Sequence, residues 1–294
     1  MSHSDSHHFL NERIRPGDPY FNYCYWPYEP PADGIGKLRA SSLLFRAIQE
    51  MPEAQWLTDC IRAIQAGIGD FRSVYGIKLQ NGEWSLEIYL YDYEREDRIV
   101  SVERVMAACQ GKLVFPDTVG AHVPYFMFSF DLDASVAKAN GIIDTVHVYV
   151  GNPGSTVSSG ISYGFTSNPQ ATELENFYFF FDAQDREQIV DKIQCAAWLN
   201  QPDTLVQTLL RPALMDCQTI CLANKRVSNT VYFSGVNVLQ LQDFLRWQKY
   251  PQSFQDFIAE HQPELDHLLY DVGVDYQVRS NEVQFVKSGI YGIA

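Results

Sequence analysis

From residue 73 onward hydrophobicity repeats every second residue, and the two faces that this period defines differ in kind. In 85–93 the even positions Leu86, Ile88 and Leu90 are aliphatic, whereas the odd positions are Ser85, Glu87, Tyr89, Tyr91 and Tyr93. The split recurs as Phe126, Phe128 and Phe130 against Tyr125, Met127, Ser129 and Asp131, as Val146, Val148 and Val150 against Thr145, His147 and Tyr149, and as Val272 and Val274 against Asp271, Gly273 and Asp275. A period of two belongs to pleated strands. An open sheet backed by helices would show water Ser, Thr, Lys and Glu, because exposing many tyrosine rings costs apolar hydration. A second face of Tyr, His, Asp and Glu instead suits the inside of a closed barrel whose aliphatic outside is covered by helices.

The segments come in a regular rhythm. SVYGIKL, a turn at Asn81-Gly82 and WSLEIYLYDY form a first hairpin, with a helix expected over 97–109. PYFMFSFDL with DTVHVYV, ISYGFT with NFYFFFD, TICLANK with NTVYFSG, and DVGVDYQV with EVQFVKSGIYG follow, and helical patterns fall at 183–198, 204–214, 237–247 and 253–269. Short turns make neighbouring strands antiparallel, which excludes a doubly wound parallel sheet. The fold class that follows is α+β, a closed antiparallel barrel of about ten strands with helices outside. Upstream, residues 16–34 (PGDPYFNYCYWPYEPPADG) are too broken for a helix and too apolar to float free, so residues 1–34 read as a tail and a lid, and 35–294 as one barrel domain opened by helices over 35–51 and 53–67.

Composition narrows the function classes. With 22 Lys and Arg against 36 Asp and Glu the net charge is -14, which argues against a surface built for nucleic acid. No run of about eighteen apolar residues exists and the polar start lacks an apolar signal region, so neither a membrane partner nor secretion is expected, and the address expected is cytoplasmic. Six cysteines without a C-x-x-C pair read as reduced packing thiols. Aromatic residues make 14% of the chain, more than a core needs, and they concentrate in the alternating segments.

Individual motifs are weaker. Gly160-Ile161-Ser162-Tyr163-Gly164 matches G-x-S-x-G, yet a nucleophile elbow needs a helix directly after the serine, and FTSNPQ follows instead. The Gly-rich stretch 151–160 lacks the lysine of a phosphate loop and reads as a hairpin linker. Asp92, Glu94, Glu96 and Asp97 read as a helix start rather than a metal cluster. Asp131 and Asp133 share one face at a strand end, where they hold Mg²⁺ or cap a turn. His147 lies between valines on the inward face, as a satisfied buried histidine or a catalytic one. Glu87, a carboxylate among inward tyrosines, must be hydrogen-bonded, paired or protonated there, as groups at functional sites often are.

The order YGIKL, WSLEIYLYDYERED, FMFSFDL, TVHVYV, ISYGFT, ENFYFFFDAQDREQI, ICLANK and TVYFSG, over about residues 70–245, resembles the ABBA (PT-barrel) aromatic prenyltransferases, and among them the cyanobactin peptide prenyltransferases. The resemblance implies an αββα barrel transferring an allylic group from a prenyl diphosphate to an electron-rich aromatic or peptide acceptor. That chemistry needs donors for the diphosphate, aromatic walls for the allyl cation and a carboxylate for the acceptor. Lys78, Lys225 and Arg226 are the candidate donors, with Lys287 of undecided parity. Asp131 or Asp275 could hold Mg²⁺. Tyr89, Tyr91, Tyr149, Tyr178 and Tyr232 are the candidate walls, and Glu87 and His147 the candidate catalytic groups. The chain departs from the family where basic side chains are usual, at Glu87, Tyr89 and Tyr91. The alternative is therefore a barrel that binds an aromatic or cationic small molecule or peptide. With Glu87 as a base, Glu87→Gln is expected to lower turnover and leave fold stability nearly intact.

Overall fold

The computed structural model describes residues 12–91, 100–119, 123–151, 159–196, 203–280 and 282–294. Ten strands, β1 (Ser73–Gln80), β2 (Glu83–Tyr91), β3 (Met127–Leu132), β4 (Thr145–Gly151), β5 (Ser159–Thr166), β6 (Glu173–Asp182), β7 (Thr219–Lys225), β8 (Asn229–Val236), β9 (Tyr270–Arg279) and β10 (Glu282–Ile293), close into one barrel. Each strand pairs antiparallel with its neighbours in sequence, and β10 returns to β1 from Val74↔Ile293 to Leu79↔Ser288. Closure removes the two edges that an open sheet would leave unpaired. The β1–β2 turn is tight because Asn81 and Gly82 both take positive φ, 53° and 81°, the geometry whose twist matches the strands.

The helices are α1 (Ser41–Ile48), α2 (Ala54–Ile68), α3 (Val102–Ala108), α4 (Ala134–Lys138), α5 (Arg186–Gln194), α6 (Asp203–Leu209), α7 (Val238–Trp247), α8 (Gln252–Glu260) and α9 (Gln262–Leu265). Side chains set the starts of α3, α4 and α7. Ser101 accepts from the Arg104 N–H at 3.3 Å, and Asn237 and Gln240 form a reciprocal capping box. Asp133 caps α4 through the N–H groups of Ser135 (2.8 Å) and Val136 (3.1 Å), so of its two possible roles the structure shows the cap. The first helix begins six residues later than its apolar spacing predicts, because Gly36 turns the chain and Leu38 bridges to Arg13. The acidic stretch 92–97, most of the 151–160 linker and the tail histidines lie outside the described residues. No helix among the described residues is long and apolar enough to cross a membrane.

Two cores result. Leu86, Ile88, Leu90, Phe128, Phe130, Val146, Val148, Phe233, Val272 and Val274 point outward and pack with Leu44, Ile48, Leu57, Ile61, Phe244 and Phe254 of the helices. A separate, smaller cluster of Cys221, Ala223 and Tyr232, with Tyr25, Tyr178, Phe180 and Tyr291, lies inside the barrel. The faces expected from alternation hold except just before β3. There Tyr125 joins the outer core against Phe128, and Phe126 faces the lumen, because the pleat begins only at Met127.

The Pro-rich stretch lies across one barrel mouth as an ordered strap. Asn22 ties it down from both ends of its amide, donating to Leu269 O (3.0 Å) and accepting from Ile293 N (2.8 Å). The Tyr28 hydroxyl accepts from Asn22 N (2.6 Å) and Leu269 N (3.2 Å). Tyr25 N donates to Asp271 Oδ2 at 3.1 Å, and Gly235 N donates to the other oxygen at 3.2 Å. Asp271 is 1% exposed, and burial pushes its carboxyl up to about 7 in spite of the donors Ser234, Cys24, Gly235 and Tyr25. A folded pKa above the unfolded value means that the folded state binds the extra proton, so stability falls as pH rises from about 4 to about 7 and stays at the lower level above. Asp271→Asn, which cannot titrate, is expected to gain on the wild-type melting temperature between pH 4 and pH 8, whatever it loses by setting an NH2 against the N–H of Tyr25 or Gly235. Thermal unfolding at both pH values checks this, and equal differences at the two would show that the strap does not seal the carboxyl.

Candidate active site

The lumen is divided along its length. Toward the strap lies a chamber of about 850 Å³ lined by Tyr23, Tyr25 and Trp26 of the strap and by Tyr89, Tyr91, Phe126, Tyr149, Tyr178, Phe180, Tyr232 and Tyr291 of the wall. Toward the opposite mouth lies a chamber of about 320 Å³ lined by Lys78, Glu87, Asp131, His147, Glu173, Glu175, Lys225, Arg226, Asp275 and Lys287. Tyr89, Tyr149, Tyr178, Tyr232 and Tyr291 line both, so the two chambers meet at a belt of phenols. Ring centroids step around this belt at 6.0 Å (Tyr178 to Tyr149), 6.3 Å (Tyr149 to Tyr89), 5.9 Å (Tyr89 to Tyr291) and 5.9 Å (Tyr291 to Tyr232).

Glycines make the belt possible. A Cβ on Gly76 would lie 3.0 Å from the Tyr291 ring and 3.2 Å from the Tyr89 ring, and one on Gly273 would lie 2.4 Å from Tyr232. Bare backbone on β1 and β9 therefore gives the rings of neighbouring strands room to close over it. Strap rings complete the wall: Tyr25 meets Phe180 edge-on at 5.0 Å and Tyr232 at 6.1 Å, and the Tyr23 and Tyr91 hydroxyls are hydrogen-bonded. Burial raises the phenols of Tyr89, Tyr149 and Tyr232 well above their ordinary range, so they stay neutral.

In the polar chamber cations and carboxylates alternate. Lys78, 7% exposed, pairs with Glu87 and with Asp131 Oδ1 at 3.0 Å. Lys225 Nζ lies 3.0 Å from both oxygens of Asp275, which also accepts from Thr230 (2.6 Å) and has Lys287 at 3.7 Å. Lys287 lines the same chamber as Lys78 and Lys225, and the ammonium of Lys78, then burial, lowers its pKa. Burial also disfavours charge on Lys78, Glu87 and Asp275, but their partners outweigh it: Lys78 stays well above the usual amine range, and Asp275 below that of a carboxylate. Glu87 is held well below that range by Lys78, His147 and the Lys78 and Ser129 hydrogen bonds, and it accepts from Tyr89 (2.7 Å) and Tyr149 (3.4 Å) as well. His147 Nδ1 meets both Glu175 oxygens at 2.9 and 2.8 Å, and although burial opposes it, that hydrogen bond and the charges of Glu87, Glu175 and Asp131 raise its pKa.

The structure thus gathers Lys78, Glu87, Asp131, His147, Lys225 and Asp275 in one chamber and Tyr89, Tyr149, Tyr178 and Tyr232 on its boundary. Tyr91 lies at the strap end, and Arg226 sits at the mouth, 61% exposed and paired with Glu173. Lys287 faces inward opposite Asp275, in step with Gly289 and Tyr291, and the β9–β10 register shift between Phe285 and Lys287 sends Phe285 out onto Trp247, so the two halves of β10 differ in parity. Alternation alone could not decide that parity. Glu175, Tyr291 and the strap rings Tyr23 and Tyr25 were not singled out by the sequence, although Tyr291 shares its face with Gly289 by simple alternation. Ser162 lies within β5, fully buried, and accepts from Asn176 at 2.9 Å in an arrangement unlike a nucleophile elbow. Asp131 and Asp275 stand on non-neighbouring strands, each with a lysine at 3.0 Å, so this donor set does not suit a resident Mg²⁺. Among the described residues no group of three or more His, Cys, Asp and Glu is placed to hold a metal ion.

No family model matches this sequence, and no curated protein resembles it significantly. Solved structures do resemble it. The prenyltransferase PriB in a binary complex with product diphosphate superposes with a TM-score of 0.51 at 10% identity over 87% of this chain and 96% of PriB. The apo form of PriB gives 0.50 at 9% identity over the same shares. At such identity the likeness is one of fold: the chain has the closed ten-stranded antiparallel barrel with helices outside that is found in a prenyltransferase.

Proposed function

We propose that this barrel transfers an allylic group from a prenyl diphosphate to an electron-rich aromatic acceptor held in the tyrosine-lined chamber. The observation that carries this reading is the junction of the two chambers. Three converging lysines end where a belt of phenol rings begins, so a ligand with a polyanionic head and an apolar tail fits across the boundary. Lys78, Lys225 and Lys287 would hold the head as its carbon–oxygen bond ionises, each as a charge-assisted donor. The allyl cation would form among the faces of Tyr89, Tyr149, Tyr178 and Tyr232, where ring quadrupoles stabilise positive charge and the strap keeps water away. A peptide acceptor, as the resemblance implies, would have to displace part of the strap.

Glu87 has a narrower role than a free base. Clamped as a carboxylate by Lys78, Tyr89 and Ser129, it would serve as a fixed negative charge facing the allyl cation, and it would orient an N–H or O–H of the acceptor by exchanging the 3.4 Å Tyr149 contact for it. The competing reading is a barrel for an aromatic cation, favoured by the carboxylate already standing beside each lysine.

Thermal shift with prenyl diphosphates separates the two readings. Transfer predicts stabilisation, about 2.7 kcal/mol at a hundred times Kd, as large with EDTA as with Mg²⁺, and lost in Lys225→Ala. Stabilisation that requires Mg²⁺ would return the head to a metal, and stabilisation by aromatic ammonium compounds alone would favour the competing reading. Glu87→Gln is expected to cost about 1–3 kcal/mol of folding stability, because it removes one of the two carboxylates on buried Lys78 and leaves Asp131 as its remaining counter-ion. This replaces the expectation of an unaltered fold. Denaturant unfolding of Glu87→Gln alone and with Lys78→Met checks it, since the double variant should regain most of the loss.

A further inference from the structure

We infer that Glu175 is a positioning residue that fixes His147 as the proton donor to the departing diphosphate, an inference that rests on the transferase reading above. Three local features build the contact. Gly164 of β5 stands opposite His147 of β4. The β5–β6 register shifts so that Ser162 pairs with Asn176 and Tyr163 with Leu174, which leaves Glu175 as the extra residue. Simple alternation from Asn176 and Tyr178, which face the lumen, would send Glu175 outward, and the bulge turns it in. Its carboxylate then crosses the bare backbone of Gly164 to reach Nδ1 of His147 with both oxygens, and a Cβ at 164 would lie 2.5 Å from Oε1.

A carboxylate on Nδ1 fixes the ring's orientation and leaves Nε2 to carry the second proton into the polar chamber that His147 lines. The charged groups facing the imidazole are Glu175 on β6, Glu87 on β2 and Asp131 on β3, with Lys78 of β1 between the last two. The carboxylates favour the charged ring. In the step proposed, the allylic carbon–oxygen bond breaks, both electrons leave with the diphosphate oxygen, and the proton on Nε2 passes to the diphosphate. The acceptor releases one proton as it bonds to the allylic carbon, and that proton restores the imidazolium.

The test uses the full chain and inorganic diphosphate, with calorimetric binding and the imidazole NMR titration of His147 both followed against pH. In the wild type, binding is expected to weaken as pH rises through the His147 titration. Glu175→Gln and Gly164→Ala, which attack the contact from opposite sides, should both move that titration to lower pH. His147→Gln should abolish the limb, weaken binding by about tenfold at the acid end and lower kcat by about a hundredfold or more. Comparison among variants cancels the diphosphate's own protonation. Diphosphate binding with His147 titrating alike in wild type, Glu175→Gln and Gly164→Ala overturns the positioning role. No binding by the wild type at any pH sinks the transferase reading and the proton transfer with it, even where the titration shifts as expected.

Discussion

Closing ten antiparallel strands on themselves satisfies the backbone of the lumen wall within the sheet and leaves its inward side chains as the only chemistry available there. Each strand contributes one residue in two to that interior, and the alternate residue to the shell under the helices. The consequence is electrostatic. A charge inside such a wall has little water, so it persists only beside an opposite charge or a set of donors. Lys78 with Glu87, and Asp275 with Lys225 and Thr230, meet that condition, and the hydroxyls of Tyr89 and Ser129 complete the shell of Glu87.

Where alternation runs unbroken, the sequence discloses the site. The inward set Glu87, Tyr89, His147, Tyr149 and Asp275 and the outward set Leu86, Ile88, Val146 and Val148 follow from counting by twos, because a pleat fixes every side once one is known. Counting fails wherever the chain leaves the pleat. Tyr125 and Phe126 precede β3 and exchange their expected faces, while one register shift sends Phe285 out beside inward Lys287 and another turns Glu175 into the lumen. Nothing in the local residue pattern announces those shifts, since a bulge is decided by two strands at once. Pairing was hidden for the same reason. That Lys78 would take Glu87 and Asp131 depends on β1, β2 and β3 lying in one register, which a single strand does not encode. The strap was legible as ordered cover from its prolines and rings, but which mouth it covers is set by Asn22 and Tyr28 finding backbone groups nearly 250 residues away.

The close matching of cations and carboxylates in the polar chamber bears on what it can hold. A ligand with a single negative charge that takes one lysine from Asp131 or Asp275 gains one ion pair and breaks another, so the exchange yields little. A diphosphate would differ under the transferase reading, because Lys78, Lys225 and Lys287 line one chamber and could share its charge, while Asp275 would keep its Thr230 hydroxyl. Under the transferase reading the carboxylates therefore set a threshold that favours a polyanion over monoanions, a form of selectivity that repulsion supplies as much as attraction. These carboxylates would also act, under the same reading, at the end of the reaction. Once the allylic group had left the head, the tyrosine belt would not retain the free diphosphate, and Asp131, Glu87 and Asp275 would compete for the lysines that hold it. The head would meet the same competition in both complexes, but only the substrate would keep its apolar tail among the rings, so under this reading the free diphosphate would be the weaker ligand of the two.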